Sequence, residues 1–178
     1  VFGKRFGELE YGALPVSNQE KHDDGSYGAI YELESQRMRD NLGNEFWHTD
    51  SSYWPISNKC AMLSAVTLPD EGGQTELADM RVGYAALDQA TMDRIERLSA
   101  YHSTRYSNAQ DLGDFPPQSE GTYHHGEAYL RPLVKTHPET GVKSLFIGRH
   151  AFGIPGLDRL ESRALLQRMM DIAVSDER

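Results

Sequence analysis

Apolar residues in this chain gather in short runs separated by polar stretches rich in glycine, proline and aspartate, and the runs predict a mixture of strands and helices. Tyr27 to Leu33 is rich in β-formers and predicts a strand. Ala61 to Leu68 predicts a buried strand, stopped by Pro69-Asp70-Glu71-Gly72-Gly73, and Thr75 to Ala78 predicts a shorter one. Tyr84, Leu87, Met92, Ile95 and Leu98 fall near helical spacing, with Asp88 placed to cap a second helix. Tyr101 to Tyr106 is compatible with a strand. Arg131–Thr136 and Lys143–Gly148 read as two strands of a hairpin joined through His137-Pro138-Glu139-Thr140-Gly141. Leu157-Asp158 opens a final helix that carries Leu160, Ala164, Leu165, Met169 and Ile172 along one face. Residues 8–26 read as loop around a short extended piece, 34–45 as polar and helix-neutral, and 107–128 as a long surface loop or lid. Short strands with turns between them, plus helical segments, suggest an α+β or barrel-like β fold with helical additions.

Length and composition narrow the function classes. At 178 residues the chain predicts one domain. A net charge of −9 argues against a nucleic-acid surface, which needs a basic footprint. The single cysteine, Cys60, excludes an internal disulfide framework and any Cys-rich metal site; inside the apolar run it predicts an inert side chain. The sequence has no apolar stretch of transmembrane length and no charged-then-apolar leader, and the single cysteine fits a reducing, cytoplasmic compartment. The start has no initiator Met; Phe2 and Phe6 followed by Gly7 read as the last turn of a helix, and the other end stops as a helix dies. Both ends therefore predict a fragment.

Nucleophile elbows, Walker loops and dinucleotide fingerprints are absent from the sequence, and Gly72-Gly73 reads as a turn. Histidines and carboxylates remain. A His and an acid two positions apart leave an extended strand end on the same side and supply two ligands of a facial triad, with a third His drawn from elsewhere. Seven histidines and 27 acids give about one such pair by chance, so the spacing alone is a weak signal. Four occur: His22/Asp24, His48/Asp50, His125/Glu127 and His137/Glu139. Three of them lie in turns or a glycine-flanked loop and read as surface polar residues. His48/Asp50 sits between Phe46-Trp47 and Tyr53-Trp54, where it can be partly dehydrated as a metal site needs. Without a metal it reads as a Trp-anchored strand end whose Asp50 caps a turn with Ser51 and Ser52.

The ordered series Trp47-His48-Thr49-Asp50, Pro55, Ala61-Met62-Leu63-Ser64-Ala65, Gly72-Gly73-Gln74-Thr75 and Tyr84-Ala85-Ala86-Leu87 resembles the taurine dioxygenase / dichlorophenoxyacetate dioxygenase family. The similarity runs on through Arg131-Pro132-Leu133-Val134-Lys135-Thr136-His137-Pro138 and Lys143-Ser144-Leu145-Phe146-Ile147, so it covers essentially residues 1–178. Asp50-Ser51-Ser52, Met62-Leu63-Ser64-Ala65-Val66 and Ala78-Asp79-Met80-Arg81 lean toward the dichlorophenoxyacetate branch. The resemblance implies a mainly β fold with helices, built on a double-stranded β-helix (jelly-roll) core that is incomplete at both ends here. It implies Fe(II) as cofactor, with His48 and Asp50 as two iron ligands, and 2-oxoglutarate as cosubstrate, with the hydroxyl of Thr75 on its distal carboxylate. Asn44 lies where family members contact substrate. The family's second iron His and its cosubstrate-binding arginine belong to a segment expected beyond Arg178. His150 is the best local substitute for the missing ligand and Arg149 for the missing cation, but truncation is the simpler account.

The implied activity is hydroxylation of a small organic acid, aryloxyalkanoate- or sulfonate-like, with O₂ as co-reactant and release of succinate and CO₂. Segments 11–45 and 107–128 would form the lid that sets specificity. Arg105, Arg131, Lys135 and Arg149 are local cations for an acidic substrate. No nucleic-acid or membrane partner is expected, and a homo-oligomer is compatible with the sequence. The rival reading is a non-catalytic jelly-roll module that binds a small acid or a sugar without iron.

Overall fold

A computed structural model describes residues 2–9, 17–65, 67–112 and 126–175. Among them are seven short strands and five α-helices; the strands are more numerous and the helices longer, and the strands form three separate antiparallel sheets with no closed barrel. Strands β1 (Gln19–Lys21) and β2 (Tyr27–Ile30) make a hairpin near the start. The central sheet has the order β4-β3-β7, built from β3 (Ser99–His102), β4 (Tyr129–Pro132) and β7 (Ala151–Phe152). Strands β5 (Val134–Thr136) and β6 (Lys143–Leu145) form the expected hairpin, with Val134 opposite Leu145.

Leu133 joins the two sheets. Its N–H donates to Leu98 O at 3.0 Å, and its carbonyl accepts from Phe146 N at 2.8 Å. Its side chain is fully buried in a core with Ile95, Ala100, Leu145, Ile147, Ile154, Leu165 and Met169. Helices α2 (Met80–Ala85) and α3 (Gln89–Ile95) are separated at Asp88, whose carboxylate caps α3 by accepting from Thr91 N, as the sequence predicts. Helix α5 (Arg159–Ala173) starts with a capping box between Asp158 and Glu161. Gly83 lets α2 approach α5 closely, since a Cβ there would meet Ala173 Cβ at 2.8 Å. The buried face of α5 carries Ser162, Leu165, Met169 and Ala173. Leu160, expected on that face, is 77% exposed, because the buried stripe is rotated away from it.

Other expectations are corrected. Residues 36–43, read as helix-neutral, form α1 (Gln36–Gly43), capped by Ser35 and packed against α4. Helix α4 (Thr104–Leu112) occupies the start of the stretch read as a loop, and the strand compatible with Tyr101–Tyr106 ends at His102. The rest of that stretch through His125, like residues 10–16 and Val66, lies outside the described residues. Ala61–Ala65 and Thr67–Leu68 are irregular and exposed, as are Thr75–Leu77. An apolar run becomes a strand only when its backbone finds a ladder partner, and among the described residues this one has none. Cys60 is accordingly exposed instead of buried in a strand. At the start, Gly3–Arg5 is a single 3₁₀ turn.

Candidate metal-ligand loop

Residues 47–49, outside any regular element, lead into the turn 50–53, and residues 147–149 run beside them. Arg149 N donates to Trp47 O at 2.9 Å, and Thr49 Oγ1 donates to Ile147 O at 3.0 Å. Gly148 makes this approach possible. Its φ of 153° suits glycine, and a Cβ there would stand 3.0 Å from His48 Cα. Thr49 thus turns to the core carbonyl of Ile147, while the side chains of His48 and Asp50 meet each other.

His48 Nε2 lies 3.1 Å from Asp50 Oδ1. The other ring nitrogen, Nδ1, lies 2.7 Å from Phe46 O. A carbonyl only accepts, so Nδ1 carries the hydrogen and Nε2 is the free position, either a lone pair or the donor to Asp50. The hydrogen bond from His48 holds the Asp50 carboxyl below its usual range, and the same bond raises the imidazole against the opposing effect of burial. Asp50 thus pairs with His48 and does not serve as the turn cap that the metal-free reading gave it.

Beneath the pair, Ser51, Ser52 and Tyr53 are buried, and Ser51 has a left-handed φ of 55°. His150 is buried against this turn. Its ring centroid lies 4.8 Å from that of Tyr53 and 6.1 Å from that of His48. Ser107 Oγ gives its hydrogen to Thr104 O at 2.9 Å, so it accepts from His150 Nδ1, also at 2.9 Å. Burial pushes His150 well below the usual histidine range, keeping the ring neutral. Arg149 Nη2 donates to Asn108 Oδ1 at 3.0 Å, which ties the 147–149 segment to α4.

The structure therefore brings His48 and Asp50 together, and His150 into their surroundings. Asn44 is exposed at the C-cap of α1, four residues before His48, and Thr75 is exposed on the irregular stretch. Among the described residues no group of three His, Cys, Asp or Glu side chains is placed to hold a metal. A cavity of about 560 Å³ next to the loop is lined by Trp47, Tyr106, Gly148, Arg149, Arg163 and Met170, among others, and neither His48 nor Asp50 lines it. Arg131 and Ser107 were not singled out as site-building residues by sequence reasoning. Arg131 was noted only as a cation, and Ser107 carries no local signal, because its partners are distant in the chain.

Comparison with known proteins gives concordant findings. The family described as "Taurine catabolism dioxygenase TauD, TfdA family" matches residues 1–178. The chain is 45% identical over 183 residues to an (S)-phenoxypropionate/alpha-ketoglutarate-dioxygenase of Sphingobium herbicidovorans, covering 100% of this chain and 62% of that protein. It is 34% identical over 187 residues to an alpha-ketoglutarate-dependent 2,4-dichlorophenoxyacetate dioxygenase of Cupriavidus pinatubonensis, covering 99% of this chain and 64% of that one. Among solved structures, the crystal structure of AAD-2 in complex with Mn(II) and N-oxalylglycine superposes with a TM-score of 0.84 at 36% identity, over 99% of this chain and 62% of the other. The chain thus spans less than two thirds of the length of these relatives.

Proposed function

The chain belongs to the TauD/TfdA dioxygenase family, and from that premise we propose that the protein it forms hydroxylates a small organic acid with Fe(II) and 2-oxoglutarate. The observation that carries the reading is the His48–Asp50 pair. Two donors each about 2.1 Å from one metal and at a right angle to each other are about 3.0 Å apart, so the 3.1 Å between Nε2 and Oδ1 fits two neighbouring coordination positions. A nitrogen and a carboxylate oxygen are the donor set of a non-haem Fe(II) site. The hydrogen bond from His48 Nδ1 to Phe46 O is the kind of support that fixes the tautomer of a metal-bound imidazole. In this reading the pair supplies two of the three ligands of a facial triad.

In this reading Fe(II), when bound, supplies the O₂-dependent oxidation that couples hydroxylation to release of succinate and CO₂. The protein's residues do the rest. Asp50 brings a negative charge that offsets the dication, and His48 brings a neutral donor. Thr75 donates its hydroxyl to the distal carboxylate of 2-oxoglutarate, a charge-assisted bond. Asn44 contacts the substrate. Tyr53 and His150 pack beneath the pair and keep water from that side. We assign the lid to segments 11–45 and 107–128; the support comes from their described residues, where α1 packs on α4 beside Arg149. We place the fold on a jelly-roll core, and the substrate among aryloxyalkanoates in preference to sulfonates, because the relatives above are named for phenoxypropionate and dichlorophenoxyacetate. Succinate release measured with Fe(II), 2-oxoglutarate and a panel of aryloxyalkanoates and sulfonates tests it. Substrate-dependent succinate with an aryloxyalkanoate is expected. Tight binding of the acid without iron and without succinate release would establish a binding module instead.

A further inference from the structure

We propose that Arg131 is a positioning residue for the His48–Asp50 pair, acting through the turn that follows Asp50; the inference rests on reading that pair as metal ligands. Arg131 lies on β4 with its Cα opposite Ala100 of β3, so its backbone is fixed to the central sheet. Its side chain leaves the sheet and gathers the carbonyls of the turn. Nε donates to Ser52 O at 3.2 Å, and Nη2 donates to Pro55 O at 3.0 Å and to Trp54 O. No carboxylate pairs with this guanidinium among the described residues; it donates to three neutral carbonyls of the segment 52–55 and lies over the Tyr129 ring, 5.5 Å from its centroid.

The position of that turn gives the contact its consequence. Thr49 is tied to Ile147 O on one side of Asp50, and Ser52 is tied to Arg131 on the other. Asp50 therefore sits between two fixed points three residues apart. Ser51, between them, is held at a left-handed φ that a serine rarely takes unless its surroundings impose it. Releasing Ser52 lets Ser51 relax toward an ordinary conformation, and that rotation swings the Asp50 carboxylate away from His48. The chemistry also explains the residue type. Carbonyls only accept, and three of them spread over four residues need a donor with several N–H groups in a planar fork. A lysine offers its donors from a single point and reaches fewer of them.

Mn(II) binding to the metal-free protein, followed by the loss of the free-ion electron paramagnetic resonance signal, tests this without turnover. Arg131→Met and Arg131→Gln should weaken Mn(II) binding by about tenfold, the range seen when a residue supporting a metal ligand is removed. Arg131→Lys should recover part of that loss. Thermal melting of the metal-free variants, run in parallel, should show the folded fraction preserved at the titration temperature. Wild-type Mn(II) affinity in Arg131→Met, with Asp50→Ala unable to bind, would overturn the role of Arg131 and leave the ligand reading standing. An affinity loss that only follows the unfolded fraction in all three variants would overturn it too. Wild-type affinity in Asp50→Ala would remove the ligand reading and the Arg131 inference with it.

Discussion

Two stretches that should share one active site are built in opposite ways. The loop 47–55 is clasped by Ile147, Arg149 and Arg131, packs on His150 through its own Tyr53, and presents His48 and Asp50 at 3.1 Å. The stretch 60–77, which carries Thr75, is exposed and irregular wherever it is described. The first carries aromatics (Trp47, Tyr53 and Trp54) and the second only aliphatic apolar residues and Cys60, but apolar content by itself does not order a segment. What separates them is partnership. The bonds that tie the first loop to the rest of the molecule reach residues 76 to 102 positions away in the chain, from Arg131–Pro55 to Arg149–Trp47, whereas the second finds no such partner among the described residues. A ligand pair needs its geometry imposed from outside its own segment, and only the first stretch has that support here.

The most severe way to break the comparison is to remove the pair itself. Asp50→Ala should weaken Mn(II) binding by more than about 100-fold and reduce substrate-dependent succinate release to background, because it deletes both a donor and the charge that offsets the dication. Mn(II) titration and a succinate assay measure the two effects. Near-wild-type values in both would mean that the ordered loop serves the fold and not the metal.

A second test weighs the supports. Ile147, 2% exposed, lies in the core and its carbonyl receives Thr49; Leu77, on the other stretch, is 91% exposed. Ile147→Ala should cost about 2–5 kcal/mol of stability and Leu77→Ala less than about 0.5 kcal/mol. Urea unfolding of each variant gives the numbers. A Leu77→Ala cost in the core range would show that the second stretch is covered in the working protein, and the contrast drawn above would fall.

Protonation of His102 gives a third, smaller effect. This ring is buried on β3, stacked on Phe146 at 5.5 Å, and neither of its nitrogens finds a partner among the described residues. Burial first, then Arg131 and Lys135, depresses it to about 4. The fold therefore favours the neutral ring. Below about pH 6.5 the unfolded chain takes up a proton that the folded chain refuses, so stability should fall as pH drops from about 6.5 and level off near 4. A depression of this size corresponds to about 3 kcal/mol. Denaturant midpoints across that window, compared with those of His102→Phe, would show the dependence weaken in the variant; an unchanged profile would assign it to other groups.

How much of this was legible in the sequence follows from the range of each signal. The Asp88 and Asp158 caps, the β5–β6 hairpin and the His-x-Asp pair were readable because each is a local pattern spanning a few residues. Helix α1 was missed because it offers only Met38 and Leu42 as apolar positions and carries the weak helix formers Asp40, Asn41 and Gly43; the Ser35 cap and the packing against α4 secure it. The strand expected at Ala61–Leu68 was misplaced for the converse reason. Its apolar run is a strong local signal, but pairing is a tertiary property. Arg131 could be seen as a cation, yet nothing near it in sequence says that its partners are carbonyls 76 to 79 positions earlier. The pairing of His48 with Asp50, which we propose as the donor pair, was thus legible, and the contacts that hold it were not.

The smallest test asks whether one hydroxyl of that scaffold can be felt. Thr49 lies between His48 and Asp50, and its Oγ1 is the one side-chain group of the pair's own tripeptide that reaches into the core, at Ile147 O. Thr49→Val keeps the shape and deletes the donor, leaving the Ile147 carbonyl short of a partner, so stability should fall by about 1 kcal/mol. Thr49→Ser keeps the donor but loses a methyl, and should restore the metal affinity more fully than the stability. Because Thr49 and Arg131 hold opposite sides of Asp50, the two supports should also couple. In a double-mutant cycle on Mn(II) binding, removing Thr49 in the Arg131→Met background should cost less than removing it alone, since a turn already released at Ser52 gains little from being fixed at Thr49. Strict additivity of the two losses would show that the two contacts act on separate parts of the loop, and that Asp50 is not held between them.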